Sequence, residues 1–170
     1  MKKSIIAILF IVVIGTLLII SFSNNIQPKN KCESFMAENS IDFPCKYFIS
    51  QGEIPNGYQI KTDESNKFVI GKNTDPDVSF GPGDGIKDWS YVVYIKEDGQ
   101  ISLNVLEFNA GYDKGKNIEK INSIKEQMTN SLGYGLEYWV DGDRIIILLP
   151  LAGSKEEDID AFKSKLDDKI

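Results

Sequence analysis

Trp89-Ser90-Tyr91-Val92-Val93-Tyr94-Ile95-Lys96-Glu97-Asp98-Gly99-Gln100-Ile101-Ser102-Leu103-Asn104-Val105 reads as two β-strands joined by a tight turn. Trp89, Tyr91, Val93 and Ile95 alternate with Ser90, Val92 and Tyr94, and Ile101, Leu103 and Val105 alternate with Ser102 and Asn104. A period of two belongs to a strand, whose successive side chains leave on opposite faces. Asp98-Gly99 is the dipeptide of a two-residue type I′ hairpin, in which both central residues take positive φ. The pattern then recurs. Leu136, Tyr138 and Val140 make a strand, Asp141-Gly142 a turn, and Arg144 to Leu149 a second strand that is apolar throughout after Arg144. A strand without a polar face is predicted to lie inside a sheet with something packed on each side.

Each hairpin leads into a helix. Ile118, Ile121, Ile124, Met128 and Leu132 recur at helical spacing, and Gly133 offers a C-terminal cap. Ser154-Lys155-Glu156-Glu157 has capping-box form and opens a closing helix whose inner stripe is Ile159, Phe162, Leu166 and Ile170. The back half is therefore ββα twice, which predicts an α+β domain: an antiparallel sheet with helices packed on it. Upstream, Lys31 to Asn39 reads as a brief helix carrying Cys32, Phe35 and Met36, after which Ile41 to Cys45 turns the chain back. Short strands are predicted at Tyr58 to Lys61 and Lys67 to Gly71, and an irregular Gly, Pro and Asp-rich loop at Asn73 to Asp88.

Ile54-Pro55-Asn56-Gly57-Tyr58 leading into a strand, the later hairpins, and a terminal amphipathic helix after a strongly apolar strand resemble the PsbP/Mog1 family of small α/β sandwiches. The resemblance covers residues 54–170 in element order and implies a non-catalytic adaptor or binding domain attached to a membrane assembly. It carries no functional residue over.

Sixteen residues from Ile5 to Ile20 contain no charge and come directly after Met1-Lys2-Lys3 and Ser4. As a helix, residues 4–22 would extend roughly 28 Å, about the hydrocarbon thickness of a bilayer. The lysines on its N-terminal flank predict a cytoplasmic N-terminus and an exported remainder. Residues 1–23 are then a membrane anchor in contact with lipid through residues 4–22, residues 24–30 a tether, and residues 31–170 an extracytoplasmic domain. Ser21-Phe22-Ser23 also has small-x-small form, so cleavage after Ser23 and secretion is the other reading.

Residues 1–23 hold two of the 19 basic residues and none of the 25 acidic ones, so residues 24–170 carry a more negative balance than the whole chain's net charge of −6. Such a balance disfavours nucleic acid, whose binding draws on Lys and Arg releasing counterions. The 170 residues contain no histidine, which excludes a Ser-His-Asp or Cys-His nucleophile and removes the commonest zinc, copper and haem ligand. Cys32 and Cys45 are the only cysteines. In an oxidising compartment their pairing would stabilise the fold by about 3 kcal/mol in the chain-entropy model, and two separately buried thiols are the alternative.

Three groups of residues are candidate sites. Asp75, Asp77, Ser79 and Asp84 lie among glycines as a string of oxygen ligands of the kind calcium uses outside cells, although Phe80 and Ile86 stand where an EF-hand needs Gly and Glu. Tight-turn chemistry accounts for the same residues. Trp89, Tyr91, Tyr138 and Trp139 could line a ligand groove or partner surface, or pack in the core. Glu107 and Glu137 are acids placed within strands, where paired carboxylates could serve glycoside hydrolysis. The sequence as a whole predicts a single-pass membrane protein whose outer domain binds a protein or small ligand without catalysis, with no cofactor beyond a calcium ion at the Asp-Gly loop. A carboxylate-dependent hydrolase and a structural envelope component are the alternatives.

Overall fold

A computed structural model describes residues 31–65, 67–72 and 85–170, so the leader, the tether and the Asp75, Asp77, Ser79 and Asp84 string lie outside the described residues. The elements in chain order are α1 (Lys31–Glu38), β1 (Gln59–Ile60), β2 (Ile70–Lys72), β3 (Ile86–Lys96), β4 (Gly99–Phe108), α2 (Gly115–Leu132), β5 (Glu137–Asp141), β6 (Arg144–Pro150) and α3 (Glu156–Asp167). The architecture is α+β, with every strand pairing antiparallel. Among the described residues no helix is long and apolar enough to cross a membrane.

The sheet runs β1-β3-β4-β6-β5, and β2 also pairs with β3. Ile60 stands opposite Tyr94 and Ile70 opposite Val92, so β1 and β2 are one edge strand interrupted at Val93. There the Val93 carbonyl accepts from the Lys61 amide and the Val93 amide donates to the Val69 carbonyl, while the intervening residues loop out of the sheet. The sheet is thus five strands wide.

Ile145, Ile146, Ile147 and Leu148 of β6 are all buried although they point alternately to opposite faces. Both faces must therefore be covered. On one, Ile145 and Ile147 join Leu106, Phe108, Leu136 and Ile121, with Ile118, Ile124 and Met128 of α2 packed against them. On the other, Ile146 and Leu148 lie in register with Val105 and Leu103 of β4, and Tyr94 of the next strand meets Phe162 of α3 with ring centroids 5.0 Å apart. The Tyr94 hydroxyl also donates to the Ile49 carbonyl at 3.3 Å, bringing the buried run Tyr47-Phe48-Ile49 onto this face.

Local signals set the ends of these elements. Gly133 takes φ 85° and its amide donates to the Thr129 carbonyl at 2.9 Å, ending α2 as its sequence predicts. Helix α3 starts later than expected, at Glu156. Its N-cap is Lys155, whose amide donates to Asp158 Oδ2 at 2.9 Å. Ile159, Phe162 and Leu166 form the buried stripe, but Ile170 lies beyond the helix and is exposed. The hairpins also shift by one residue. Lys96 pairs with Gly99, so Glu97-Asp98 is the loop, and since none of Glu97, Asp98 and Gly99 has positive φ the turn is not type I′. The second loop is Gly142-Asp143, with positive φ at Gly142 alone, the type II′ pattern. Strand β3 begins at Ile86, three residues before the alternation in the sequence, because a register shift between Ile86 and Asp88 breaks the period. Cys32 and Cys45 are both in disulfide linkage, as expected, rather than separate thiols.

Two long-range ion pairs fasten α3 and the C-terminus. Lys96 at the end of β3 donates to both oxygens of the buried Asp158, at 2.7 and 2.8 Å. Lys169 donates to Glu53 Oε1 at 2.9 Å, and Glu53 Oε2 accepts from the Ser50 amide and hydroxyl at 3.0 and 2.8 Å.

Leu148→Ala should cost about 2–5 kcal/mol because it opens a cavity at a fully buried position, whereas Val140→Ala on the exposed edge should stay within about 0.5 kcal/mol. Urea denaturation of the two variants checks this, and equal losses would contradict a doubly covered β6. The Glu53 carboxyl is pulled up by partial burial but brought down further by Lys169 and Ser50, to about 2. Its folded value is below its unfolded one, so its stabilisation is complete above the unfolded value and is lost as pH falls from about 4.5 towards 2. Thermal melts should show Glu53→Gln lowering Tm at pH 7 and flattening the acid limb; parallel limbs in the two proteins would refute the assignment.

Candidate functional site

The antiparallel register lines up four charged side chains across one end of the sheet. Asp88 of β3 stands opposite Glu107 of β4, Glu107 opposite Arg144 of β6, and Arg144 opposite Asp141 of β5. They continue the sheet face that carries Val105 and Ile146, at the point where its apolar cover ends. Neighbouring strands lie ~4.8 Å apart, so each charge is within reach of the next.

Arg144 Nε and Nη2 donate to Glu107 Oε2 at 3.0 and 2.8 Å, while Lys87 Nζ pairs with Glu107 Oε1. Across the row, Asp141 Oδ2 accepts from Lys46 Nζ and, at 2.7 Å, from the Tyr47 hydroxyl. Lys46 and Tyr47 reach this end because the chain turns at Pro44, whose carbonyl accepts from the Tyr47 amide at 3.1 Å. Around the row opens a cleft of about 460 Å³, lined by these residues together with Phe108, Ala110, Gly142 and Asp143. A second hollow of about 230 Å³ adjoins it, sharing Glu107 and Arg144 and adding Asp42, Phe43 and Asp88.

The electrostatics follow from the pairing. Lys87 first and Arg144 second hold the Glu107 carboxyl below the usual carboxylate range, against a smaller opposing effect of burial. Lys46, then Tyr47, do the same for Asp141. Bonding to Glu107, and next to Tyr47, raises Arg144. Both carboxylates are therefore ionised at neutral pH and poorly suited to act as general acids. Among the described residues no group of three or more Asp, Glu, Cys or His side chains is arranged to hold a metal ion. What the cleft offers is charged hydrogen bonding of both signs.

The structure separates the two acids considered together in the sequence. Glu107 lies opposite Arg144, whereas Glu137 lies opposite Leu148, four residues further along β6 and on its other side. Glu137 is occupied by Lys125, which donates to Oε2 at 3.0 Å, with Lys163 at 3.8 Å. Trp89 and Tyr138 are partly buried and pack against the core under α2. Trp89 Nε1 also donates to Asn104 Oδ1 at 3.2 Å. Tyr91, half-buried, shares their sheet face through its pairing with Asn104 and, beyond it, Ile147. Trp139 faces the opposite way and donates from Nε1 to Asp167 of α3 at 2.8 Å. The four aromatic residues thus do not form one surface.

Asp141 and Arg144 enter the sequence pattern only as turn and strand residues, and Lys46 and Tyr47 carry no site signal there. One signal was available: Arg144 is the only arginine in the chain, set immediately before its most apolar run outside the leader. Replacing it tests the electrostatic arrangement. In Arg144→Gln the Glu107 carboxyl should titrate closer to the ordinary value of about 4.3, as followed by carbon NMR of that side chain. An unmoved midpoint would mean that Arg144 does not bear on Glu107.

Against protein-family models, curated proteins and solved structures, the chain matches none.

Proposed function

We propose that the chain is a membrane-anchored extracytoplasmic binding domain that takes its ligand, rather than transforming it, in the cleft at the Glu107–Arg144 end of the sheet. The observation that carries this reading is the open cleft lined by ions of both signs, with its carboxylates held in the charged form by neighbouring cations. Such groups bind and orient without exchanging protons near neutral pH. The apolar leader with Lys2 and Lys3 on its N-terminal flank supports an exported domain, and cleavage after Ser23 would release the same domain in secreted form. The sandwich-like element order that resembles the PsbP/Mog1 family favours binding in the same direction.

Two measurements on the full-length chain test the proposal. A reporter fused after Ile170 should be active only outside the cytoplasmic membrane; activity confined to the cell interior removes the exported reading. Native mass spectrometry of the chain extracted from its membranes should show an added mass that Arg144→Gln loses. If the wild-type and variant masses differ only by the substitution, the cleft is not where the ligand binds.

A further inference from the structure

The cleft lining is balanced in charge: Lys46, Lys87 and Arg144 against Glu107, Asp141 and Asp143. Its ion pairs are also accessible, since Lys87, Lys46 and Arg144 are 61, 48 and 39 % exposed. Exposed pairs are held weakly and can exchange partners. A simple anion entering on Arg144 would compete with Glu107 for its fork, and it would add negative charge to a chain already carrying 25 acidic against 19 basic residues. A simple cation entering on Asp141 would displace Lys46. A ligand bearing one charge of each sign leaves the balance of the lining unchanged, and Glu107 keeps Lys87 when it gives up Arg144.

Spacing narrows the class. Arg144 stands directly between Glu107 and Asp141, on strands ~4.8 Å to either side of its own, and its fork meets Glu107 at 3.0 and 2.8 Å. In an α-amino acid the nitrogen and the carboxyl carbon lie about 2.5 Å apart by ordinary bond lengths. With a hydrogen bond of about 2.8 Å at each end, such a molecule bridges a neighbouring arginine and carboxylate. Arginine is the side chain whose planar fork matches a carboxylate, and this chain places its single arginine here. Ala110, exposed at the rim of the cleft, leaves room for a ligand side chain.

We infer that the cleft takes a small zwitterion, a free α-amino acid whose carboxylate lies on Arg144 and whose ammonium lies on Asp141 or Glu107. This rests on the cleft being the ligand site, and the two statements fail differently. The probes are L-leucine, N-acetyl-L-leucine and L-leucine amide, titrated into the full-length chain in detergent and followed by NMR of the Arg144 Nε–H and the Glu107 and Asp141 amides. L-leucine should shift all three signals, and either blocked form should bind about tenfold more weakly or worse, because each lacks one charged hydrogen-bonding end. Arg144→Lys, which keeps the charge but loses the fork, should also weaken L-leucine binding while its backbone spectrum stays dispersed. If N-acetyl-L-leucine binds as tightly as L-leucine, the site reads an anion; the zwitterion inference fails and the cleft reading stands. If none of the probes shifts these signals, the inference fails as well. The cleft reading then survives only if the bound mass lost in Arg144→Gln is still found.

Discussion

Four consecutive buried residues, Ile145 to Leu148, require a sheet covered on both faces, and the rest of the domain is built around that requirement. Alternating side chains cannot all avoid water unless the strand lies between neighbours and between layers. Strands β4 and β5 supply the neighbours. The stripe of α2 supplies one layer, and Phe162 with the run Tyr47-Phe48-Ile49 supplies the other. The Lys96–Asp158 and Lys169–Glu53 pairs then fix α3 and the C-terminus to distant parts of the chain.

The same register that buries β6 also assembles the charged cleft. Where the apolar run stops, at Arg144, the pairing that had matched Val105 with Ile146 matches Glu107 with Arg144 instead, and β5 adds Asp141. Apolar rows give way to a charged row with no change of architecture. Lys46 and Tyr47 come to it from the segment whose Ile49 carbonyl accepts from Tyr94 of β3, so core and cleft share one sheet face. A site on paired strands is held more firmly than one on loops.

The fold was legible wherever the sequence is periodic. Both hairpins, the α2 stripe from Ile118 to Met128 with its Gly133 cap, the interior position of β6 and the buried face of α3 are read from spacing and turn residues, whereas Leu132, expected in the α2 stripe, is exposed at the helix end. Boundaries were less legible because they depend on local hydrogen bonding. The turns shift by one residue at Lys96–Gly99 and Asp141–Arg144, and Asp158 instead of Ser154 satisfies the start of α3. The cleft was the least legible part. Its Lys46–Asp141 and Tyr47–Asp141 contacts join residues 95 and 94 positions apart, a distance over which no sequence period operates. Of the aromatic residues that the sequence offers for a groove or for the core, Trp89, Tyr138 and Trp139 are engaged in packing or in bonds to neighbouring elements. A lone arginine bordering an apolar strand was the quieter and more useful signal.

Hydrogen exchange of the backbone amides tests the central constraint most directly. A strand paired on both sides and covered on both faces opens only when the whole domain unfolds. The amides of Ile145 to Leu148 should therefore be among the slowest in the chain, exchanging with the free energy of global unfolding, and those of the edge strand β5 that face away from β6 should exchange sooner. If the β6 amides exchange as fast as those of an edge strand, β6 is not the centre of this fold.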